Sequence, residues 1–285
     1  MKKILLSLSI CTCFWFFSCK EIGPSIDLSP IKPSDTTYVT APESSTPRHV
    51  IVEEYTGVKC VNCPEGAAIL KAAAEANDGR VIVIGLHSGS LTSPIDGESK
   101  YDFRTQQAKD LMTSFFGEDP PKPAASIDRI KINSSYFMAK GLWQTTISDR
   151  LAIASKQNIT ISSSYNNNTK EAIIKVRVAY TALEELPQKL MVALVESKII
   201  DVQEFPSYYE PNYEHNHVLR DFLTPVSGSS ILDTVTKSPG RVYERTFIYP
   251  VNENWKPENC QVIAFVFNND GQNIEVAQAA EANLK

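Results

Sequence analysis

Two cysteines separated by two residues stand where a strand pattern gives way to a helix pattern. The β-branched run Val50-Ile51-Val52 precedes them, and the alanine-rich segment 67–76, which favours a helix, follows them. Gly57 suits a turn between the two elements. Pro64 suits the first helical position, where the missing N–H costs nothing. The sequence therefore predicts a strand, a turn and a helix that starts close to Cys63.

A helix start would determine the chemistry of these cysteines. Unpaired backbone N–H groups and the positive end of the helix dipole stabilise a thiolate, which lowers the pKa of a cysteine from ~8.5 toward ~7 or below. Cys60 would be the nucleophile, and Cys63 would resolve the mixed disulfide. Lys59 would add positive charge beside the thiolate. Two alternatives stay open: a structural disulfide, or half of a zinc site that lacks a second cysteine pair.

Residues 49–155 alternate between strand and helix patterns. Strands are predicted over 50–55, 80–87 and 125–130, and helices over 64–77, 99–116 and 141–155. The strand 80–87 is nearly all apolar, as buried parallel strands are. This order predicts an α/β domain with a mixed sheet.

The hydrophobic period changes to two after residue 156. Short strands are predicted over 159–165, 173–180, 191–196, 242–249, 262–267 and 274–278. Their spacing predicts that residues 156–285 form an all-β antiparallel sandwich of the immunoglobulin-like kind.

The N-terminal residues resemble an export signal. Lys2-Lys3 precedes an apolar run that is too short to span a bilayer. The run ends at Ser18-Cys19, which resembles a loose bacterial lipobox, so we expect residues 1–18 to be a signal peptide and Cys19 to carry the lipid. The alternative is an ordinary secretory signal with Cys19 incidental. Residues 19–48 are rich in proline, serine and threonine and are predicted to be a tether.

Charge and cysteine content restrict the classes of partner and the chemistry that the chain can have. The net charge is −5, and loss of residues 1–18 leaves 26 basic against 33 acidic residues, or −7. An acidic chain of this kind argues against nucleic acid as a partner and against electrostatic binding to anionic lipid. An exported compartment permits disulfides. Cys260 is left unpaired on an apolar strand, where we expect a buried, inert thiol.

Several motifs in a fixed order resemble the Omp28-related family of Bacteroidetes outer-membrane lipoproteins. They are Glu54-Tyr55-Thr56-Gly57 leading to Cys60-x-x-Cys63-Pro64, Pro123 ahead of Arg129, the segment 214–220, and a last strand that ends at 276–280. The resemblance spans nearly all of the chain after the tether. It implies a thioredoxin-like domain over residues 49–155, a β-sandwich domain over 156–285 and an exported lipoprotein.

The thioredoxin-like resemblance adds one more site residue. In such folds a cis-proline faces the CxxC motif, and Pro123 is the best match, with Pro121 as the second choice. The chain departs from the thioredoxin pattern in two places. Lys59 replaces the usual tryptophan, which puts the substrate platform in doubt, and Val61-Asn62 replaces the usual dipeptide.

Further candidate residues lie in both halves of the chain. Glu53 and Glu54 should point to opposite sheet faces, and one of them would accept a proton from Cys63. His87 ends a central strand, where it would either approach the CxxC or be capped.

The segment 205–220 is a candidate interaction surface. His215 and His217 would share a metal if both lay on a strand, or would belong to a hydrogen-bonded loop. Nearby aromatic residues suit either a partner-binding surface or domain packing. The candidate surface comprises Tyr209, Tyr213, His215, His217 and Arg220. We assign no metal and no cofactor.

The favoured function is thiol–disulfide exchange on exported proteins by Cys60 and Cys63, with Pro123 beside them. The partners would then be exported thiols and disulfides, and the membrane would be reached through a lipid at Cys19. The alternative is a cell-surface binding or adhesion module in which the disulfide is structural. Either function would be carried out at the outer membrane, on its periplasmic face or at the cell surface.

Overall fold

The computed structural model describes residues 32–117, 119–231 and 236–285. The predicted signal peptide, Cys19 and the first part of the predicted tether lie outside the described residues. Strands in the described residues are β1 (Ser34–Val39), β2 (Val50–Thr56), β3 (Val81–His87), β4 (Ala124–Ile127), β5 (Met138–Ala139), β6 (Gln157–Asn166), β7 (Glu171–Tyr180), β8 (Gln188–Glu196), β9 (Ile199–Glu204), β10 (Tyr209–His215), β11 (Val218–Phe222), β12 (Ser229–Ser230), β13 (Arg241–Pro250), β14 (Cys260–Asn268) and β15 (Val276–Asn283).

Helices are few in the described residues, so β-sheet dominates the fold. They are α1 (Cys63–Ala76), α2 (Gln106–Asp110), which continues as a π-helix over Leu111–Phe116, α3 (Trp143–Leu151), and two short 3-10 turns over Lys140–Leu142 and Pro257–Asn259. None of the helices described is long and apolar enough to cross a membrane.

The largest sheet has nine strands. Its order is β15-β14-β8-β11-β3-β2-β4-β5, with β12 paired to β8. At its centre β2 and β3 run parallel from Val50 beside Val81 to Thr56 beside His87, and β4 joins β2 antiparallel. Every residue of β3 is buried, which agrees with its continuous apolar sequence. Helix α1 connects β2 to β3 and covers one face of this part of the sheet.

The large sheet continues across residue 155, the predicted boundary between two domains. Strand β11 pairs with β3 at Val218 and Gly85, and Gly85 N donates to His217 O at 2.7 Å. A Cβ at position 85 would lie 3.2 Å from that carbonyl oxygen, so glycine permits the close approach of β11. Strands from residues 49–155 and from residues 156–285 therefore share one sheet.

A second sheet packs on part of the first. It has four strands in the order β1-β13-β7-β6, all antiparallel. Strand β7 alternates between buried and exposed residues, as expected for a strand with one solvated face. Its buried side chains meet those of β8 and β14 in one apolar core that includes Ile174, Val176, Val192, Leu194 and Val262. This part of the chain is thus two face-to-face sheets, and neither sheet closes into a barrel.

Part of the segment predicted as a tether is structured. Strand β1 pairs with β13 from Ser34 beside Thr246 to Val39 beside Arg241. Farther on, Thr46 N donates to the side-chain oxygen of Asn158 at 2.8 Å. The run Thr36-Thr37-Tyr38-Val39 has strong β propensity, and the free edge of β13 supplies its hydrogen-bond partners. The proline-rich composition of residues 19–48 does not predict this strand.

Candidate functional site

The CxxC loop follows β2 and leads directly into α1. Cys60 N donates to Gly57 O at 3.0 Å, and Cys63 N donates to Cys60 O at 3.0 Å, which forms two successive turns. A Cβ at position 57 would lie 2.3 Å from the carbonyl oxygen of Leu91, so only glycine fits there. Cys63 is the first residue of α1 and Pro64 follows within the first helical turn. This agrees with the strand, turn and helix predicted around the motif.

Cys60 and Cys63 form a disulfide, with their Cα atoms 5.3 Å apart. Each residue is only 2% exposed. The side chain of Lys59, predicted to favour a thiolate at Cys60, donates from Nζ to Ser93 Oγ at 2.9 Å. The disulfide is therefore present at a helix N-terminus but is covered.

The cover is a hairpin formed by β9 and β10. Gln203 Nε2 donates to Cys60 O at 3.1 Å and to Gly57 O at 3.3 Å, and Glu204 N donates to Val58 O at 2.8 Å. Below the hairpin, Val58 shares a buried apolar cluster with residues of β9, β11 and the loop before α2, namely Ile95, Phe103, Ile199, Val202 and Val218. Sequence reasoning did not identify Gln203, because no local pattern connects residue 203 with residue 60.

Pro123 directly precedes β4. The Lys122–Pro123 peptide bond is cis. Gly66 in the first turn of α1 faces it, since a Cβ there would lie 3.2 Å from the Pro123 Cβ and 3.1 Å from the Trp143 ring. Beside Pro123 is a groove of about 300 Å³, whose lining includes Asn62, Pro120, Pro121, Phe137 and Met138. Because Asn62 lies between the two cysteines, the groove touches the CxxC loop, although neither cysteine is among its lining residues.

Glu53 and Glu54 point to opposite faces of the sheet and have different environments. Glu53 forms a buried ion pair with Arg129, with Arg129 Nη2 2.6 Å from Glu53 Oε1. Glu54 is 5% exposed, and its Oε1 has no hydrogen-bond partner among the described residues. Burial raises the pKa of Glu54 to about 8. Glu54 and Cys63 line the same small pocket, so Glu54 is the carboxyl on the cysteine side.

Two buried histidines lie close to this pocket. The ring centroids of His87 and His215 are 6.2 Å apart, and the Phe103 ring lies 5.1 Å from the first and 4.8 Å from the second. Burial lowers the pKa of His87 to about 3 and that of His215 to about 4, so both rings are neutral at neutral pH. His215 Nε2 lies 3.3 Å from Val202 O.

His215 and His217 do not continue one strand. His215 ends β10, whereas His217 has a φ of 55° and lies between β10 and β11. The strand geometry that would point both rings to one side therefore stops before His217. No group of three His, Cys, Asp or Glu side chains in the described part of the chain is placed to hold a metal ion.

The remaining residues of the candidate interaction surface differ in exposure. Tyr209 is 49% exposed at the end of the β9–β10 hairpin. Tyr213 is half-buried, and its ring packs 4.8 Å from His215. Arg220 Nε donates to Glu196 Oε2 at 2.8 Å, and its guanidinium lies over the ring of Trp255. The set therefore combines one exposed tyrosine with residues that mostly pack inside the fold.

Known proteins resemble this chain over different parts of its length. A search of curated proteins finds no match. Among solved structures, HBP35 of Porphyromonas gingivalis matches with a TM-score of 0.66 and 16% identity, over 85% of this chain and 77% of that chain. A protein of Agrobacterium tumefaciens matches with a TM-score of 0.48 and 12% identity, over 85% of this chain and 97% of that chain.

A family model and one further structure concern the same family. A domain of the outer membrane lipoprotein Omp28 from Porphyromonas gingivalis matches with a TM-score of 0.30 and 18% identity, over 46% of this chain and 89% of that chain. The similarity to HBP35, at 16% identity, is evidence for a shared fold alone. The model of the family described as outer membrane protein Omp28 matches residues 118–284, which is more than half of the sequence. The chain therefore belongs to the outer membrane protein Omp28 family.

Proposed function

We propose that this protein is an outer-membrane lipoprotein that exchanges thiols and disulfides with exported proteins through Cys60 and Cys63. The observation that carries the proposal is the Cys60–Cys63 disulfide at the start of α1, with Asn62 of the CxxC loop and Pro123 lining one groove. Elements β2, α1, β3 and β4 then act as a thioredoxin-like module within the larger sheet. The family match supports the outer membrane as the location, and the lipid at Cys19 provides the anchor.

The reaction begins with the reduced pair. The Cys60 thiolate attacks a substrate disulfide, forms a mixed disulfide and releases one substrate thiolate. Cys63 then attacks the Cys60 sulfur, which releases the second substrate thiolate and forms the Cys60–Cys63 disulfide. The substrate disulfide gains two electrons and the cysteine pair loses two; the reverse sequence oxidises a substrate dithiol. The N-terminus of α1 stabilises the thiolate in both directions.

The pocket beside Cys63 provides a proton acceptor for the second step. Cys63 must lose its proton before it attacks, and Glu54 lines the pocket that Cys63 also lines. A carboxyl with a pKa of about 8 exchanges protons readily near neutral pH. Glu53 cannot take this role because it is paired with Arg129 on the other face. With a pKa of about 8, the Glu54 carboxyl is mostly protonated at neutral pH, and its ionised fraction, which grows toward pH 8, is the form that accepts the proton from Cys63.

Access to the cysteines requires movement of the cover. Cys60 is 2% exposed, and the hairpin contacts it through Gln203. A substrate chain would lie in the groove beside Pro123 and reach Cys60 once the hairpin moves away. The movement has to break the hydrogen bonds that Gln203 and Glu204 make with the CxxC loop, and also those that Asp201 of β9 accepts from the backbone before α2.

Replacing the resolving cysteine should trap the mixed disulfide. We expect full-length Cys63→Ala to form a stable mixed disulfide with glutathione when incubated with oxidised glutathione, because Cys60 attacks and nothing resolves the product. The matched variant Cys60→Ala should form much less, since Cys63 lies inside the helix start. Intact-protein mass spectrometry measures both. Equal labelling of the two variants, or none in either while circular dichroism shows folded protein, would refute the proposal.

Replacing Glu54 should slow the resolving step alone. We expect Glu54→Gln to slow closure of the Cys60–Cys63 disulfide from the mixed disulfide by about a hundredfold near pH 8, the lower range for a general base. Formation of the mixed disulfide should keep its rate, which stopped-flow measurement with oxidised glutathione can separate.

The same variant has an expected effect on stability. Because the folded pKa of Glu54 is raised, ionising it destabilises the folded state progressively from about pH 4.5 to pH 8. Glu54→Gln should therefore be as stable as the parent near pH 4 and more stable at pH 9. In the kinetic experiment described above, an unchanged rate of disulfide closure in Glu54→Gln would remove Glu54 from the mechanism.

A second function is favoured by the burial of the disulfide. Both cysteines are 2% exposed, and the covering hairpin presents Tyr208 and Tyr209, which are 54% and 49% exposed. Exposed tyrosines are enriched at protein interfaces. On this alternative, the disulfide fixes the turn after β2, and the hairpin binds a partner without any redox step. Failure of Cys63→Ala to trap a mixed disulfide would favour this second function.

A further inference from the structure

The tip of the β9–β10 hairpin, residues 204–210, presents aromatic rings to solvent. Phe205 N donates to Tyr208 O at 2.9 Å, which closes a turn. The rings of Phe205 and Tyr208 stack with their centroids 5.0 Å apart and an angle of 10° between their planes. Tyr208 and the next residue, Tyr209, are both exposed. The hairpin tip therefore offers flat aromatic faces to a partner.

Carboxylates flank these rings. Residues 199–215 contain four acidic side chains and no lysine or arginine. Glu204 lies directly across from Tyr209 in the hairpin register, and Glu210 follows Tyr209 in the sequence. Among the residues that the structure describes, neither Glu204 nor Glu210 has an ion-pair partner. The aromatic faces and the negative charge thus occupy the same small surface.

The lysines that other segments bring to the hairpin do not neutralise its tip. Lys59 follows the loop residue whose carbonyl accepts from the hairpin, but its Nζ donates to Ser93 Oγ at 2.9 Å. Lys100 N donates to Asp201 Oδ1, and Lys198 immediately precedes β9. The backbones of these last two lysines therefore lie nearer the base of the hairpin than its tip.

The hairpin tip favours recognition by side chains over the addition of a strand. Pro206 lies in the turn and Pro211 lies in β10, and neither has an N–H to donate. The register shift between Glu210 and Tyr213 also interrupts the regular edge of β10. A partner chain therefore has to bind through contacts with the exposed rings and carboxylates.

We propose that the hairpin tip binds an arginine-bearing segment of an exported protein. The guanidinium groups lie on the open faces of Tyr208 and Tyr209 and pair with the carboxylates of Glu204 and Glu210. The inference rests on the second function proposed above, in which the hairpin binds a partner, and names the chemistry of that partner. Because Glu204 N donates to Val58 O at 2.8 Å, a bound segment lies beside the CxxC loop.

The probe is the acetylated and amidated pentapeptide Gly-Arg-Gly-Arg-Gly, with Gly-Glu-Gly-Glu-Gly as its acidic counterpart. We expect the full-length protein to bind the arginine peptide 1:1 with a Kd below about 1 mM, and the acidic peptide at least about tenfold more weakly. Raising the salt concentration from about 0.05 M to about 0.5 M should weaken the binding, because exposed charges are screened. Titration followed by NMR chemical shifts measures the affinity and should show shifts at Tyr208 and Tyr209.

Matched charge variants separate the hairpin tip from the general acidity of the chain. The double variant Glu204→Gln/Glu210→Gln should weaken binding of the arginine peptide at least about fivefold, because it removes both carboxylates but keeps the rings. The double variant Glu171→Gln/Glu253→Gln removes the same charge at exposed positions outside the hairpin, so it should bind the peptide like the parent. Circular dichroism confirms that each variant is folded.

The contribution of the rings is tested separately. Tyr208→Ala/Tyr209→Ala should weaken binding at least about fivefold, whereas Tyr38→Ala, at an exposed tyrosine on β1, should leave it unchanged. The probe contains no sulfur, so its binding does not depend on whether Cys63→Ala traps a mixed disulfide. Absence of binding by the parent, equal binding of the acidic peptide, or equal affinity in the hairpin variants and their controls would each overturn the proposal.

Discussion

Replacing Arg129 with methionine should lower the free energy of unfolding by about 3–5 kcal/mol, because it leaves the Glu53 carboxylate buried without its partner. Both side chains have 0% exposure. Arg129 donates from Nε to Glu53 Oε2 at 3.0 Å and from Nη2 to Oε1 at 2.6 Å, a two-point pairing that also fixes the orientation of the guanidinium.

The guanidinium of Arg129 also lies among four phenylalanine rings. Its central carbon is 4.8–5.6 Å from the ring centroids of Phe115, Phe116, Phe265 and Phe267. Cation–π contacts of this kind contribute about 0.5–2 kcal/mol each according to how well they exclude water. These rings come from the π-helix after α2 and from β14, so Arg129 connects the two halves of the chain.

Urea unfolding followed by circular dichroism measures the Arg129→Met effect. The control is the double variant Glu53→Gln/Arg129→Met, which leaves no unpaired charge and should recover part of the lost stability. Arg104→Met, at an exposed arginine, should change stability by no more than about 0.5 kcal/mol. A loss under about 1 kcal/mol in Arg129→Met would contradict the assigned role of the pair.

Replacing Asp128 with asparagine should lower the free energy of unfolding by about 3 kcal/mol, because it removes the charge between two buried arginines. Asp128 Oδ2 accepts from Arg48 Nη2 at 2.8 Å and from Arg150 Nε at 3.0 Å, and Oδ1 accepts from Ile51 N at 3.0 Å. Asparagine keeps the shape and tolerates the backbone at this position, where φ is 46°. The loss would therefore report charge rather than backbone strain.

The matched control for Asp128→Asn is Asp149→Asn on the exposed side of α3. It should change stability by no more than about 0.5 kcal/mol in the same urea experiment. Equal, small effects at both positions would contradict the account of Asp128 as the group that joins the start of β2, the end of β4 and α3.

The elements around the CxxC motif could be predicted because local sequence determines them. Helix α1 was predicted over 64–77 and runs over Cys63–Ala76, since alanine-rich composition and Pro64 act within the segment itself. The apolar run of β3 and the alternation in β7 likewise predicted strands over 80–87 and 173–180, which the structure has at Val81–His87 and Glu171–Tyr180. The predicted helix over 99–116 starts later, at Gln106, because Thr105 caps it by accepting from Ala108 N.

Contacts between distant residues could not be predicted. The approach of β11 to β3 depends on the missing side chain of Gly85, which no periodicity reveals. The segment 205–220, which the sequence marks as a candidate interaction surface, contains the second strand of the β9–β10 hairpin, and the register shift between Glu210 and Tyr213 interrupts the alternation that would predict this strand. Its position over the CxxC loop follows from contacts such as that of Gln203 with Cys60.

In the candidate site, too, local sequence determines some features and contacts between distant residues determine the others. Alternation along β2 correctly placed Glu53 and Glu54 on opposite faces, but only the distant Arg129 decides which carboxyl is paired and which faces the Cys63 pocket. A strand pattern does not predict the left-handed backbone conformation of His217. Residue types alone identify the chemical groups, whereas the burial of the disulfide depends on contacts with the distant β9–β10 hairpin.

The reduction potential of the Cys60–Cys63 pair tests the central claim most directly. Full-length protein is equilibrated with glutathione buffers of increasing ratio, and the oxidised fraction is read by thiol alkylation and mass spectrometry. Exchange of thiols and disulfides predicts a value between about −120 and −270 mV, the range of working oxidoreductases. A value below about −300 mV would make the pair a structural disulfide and contradict the redox function.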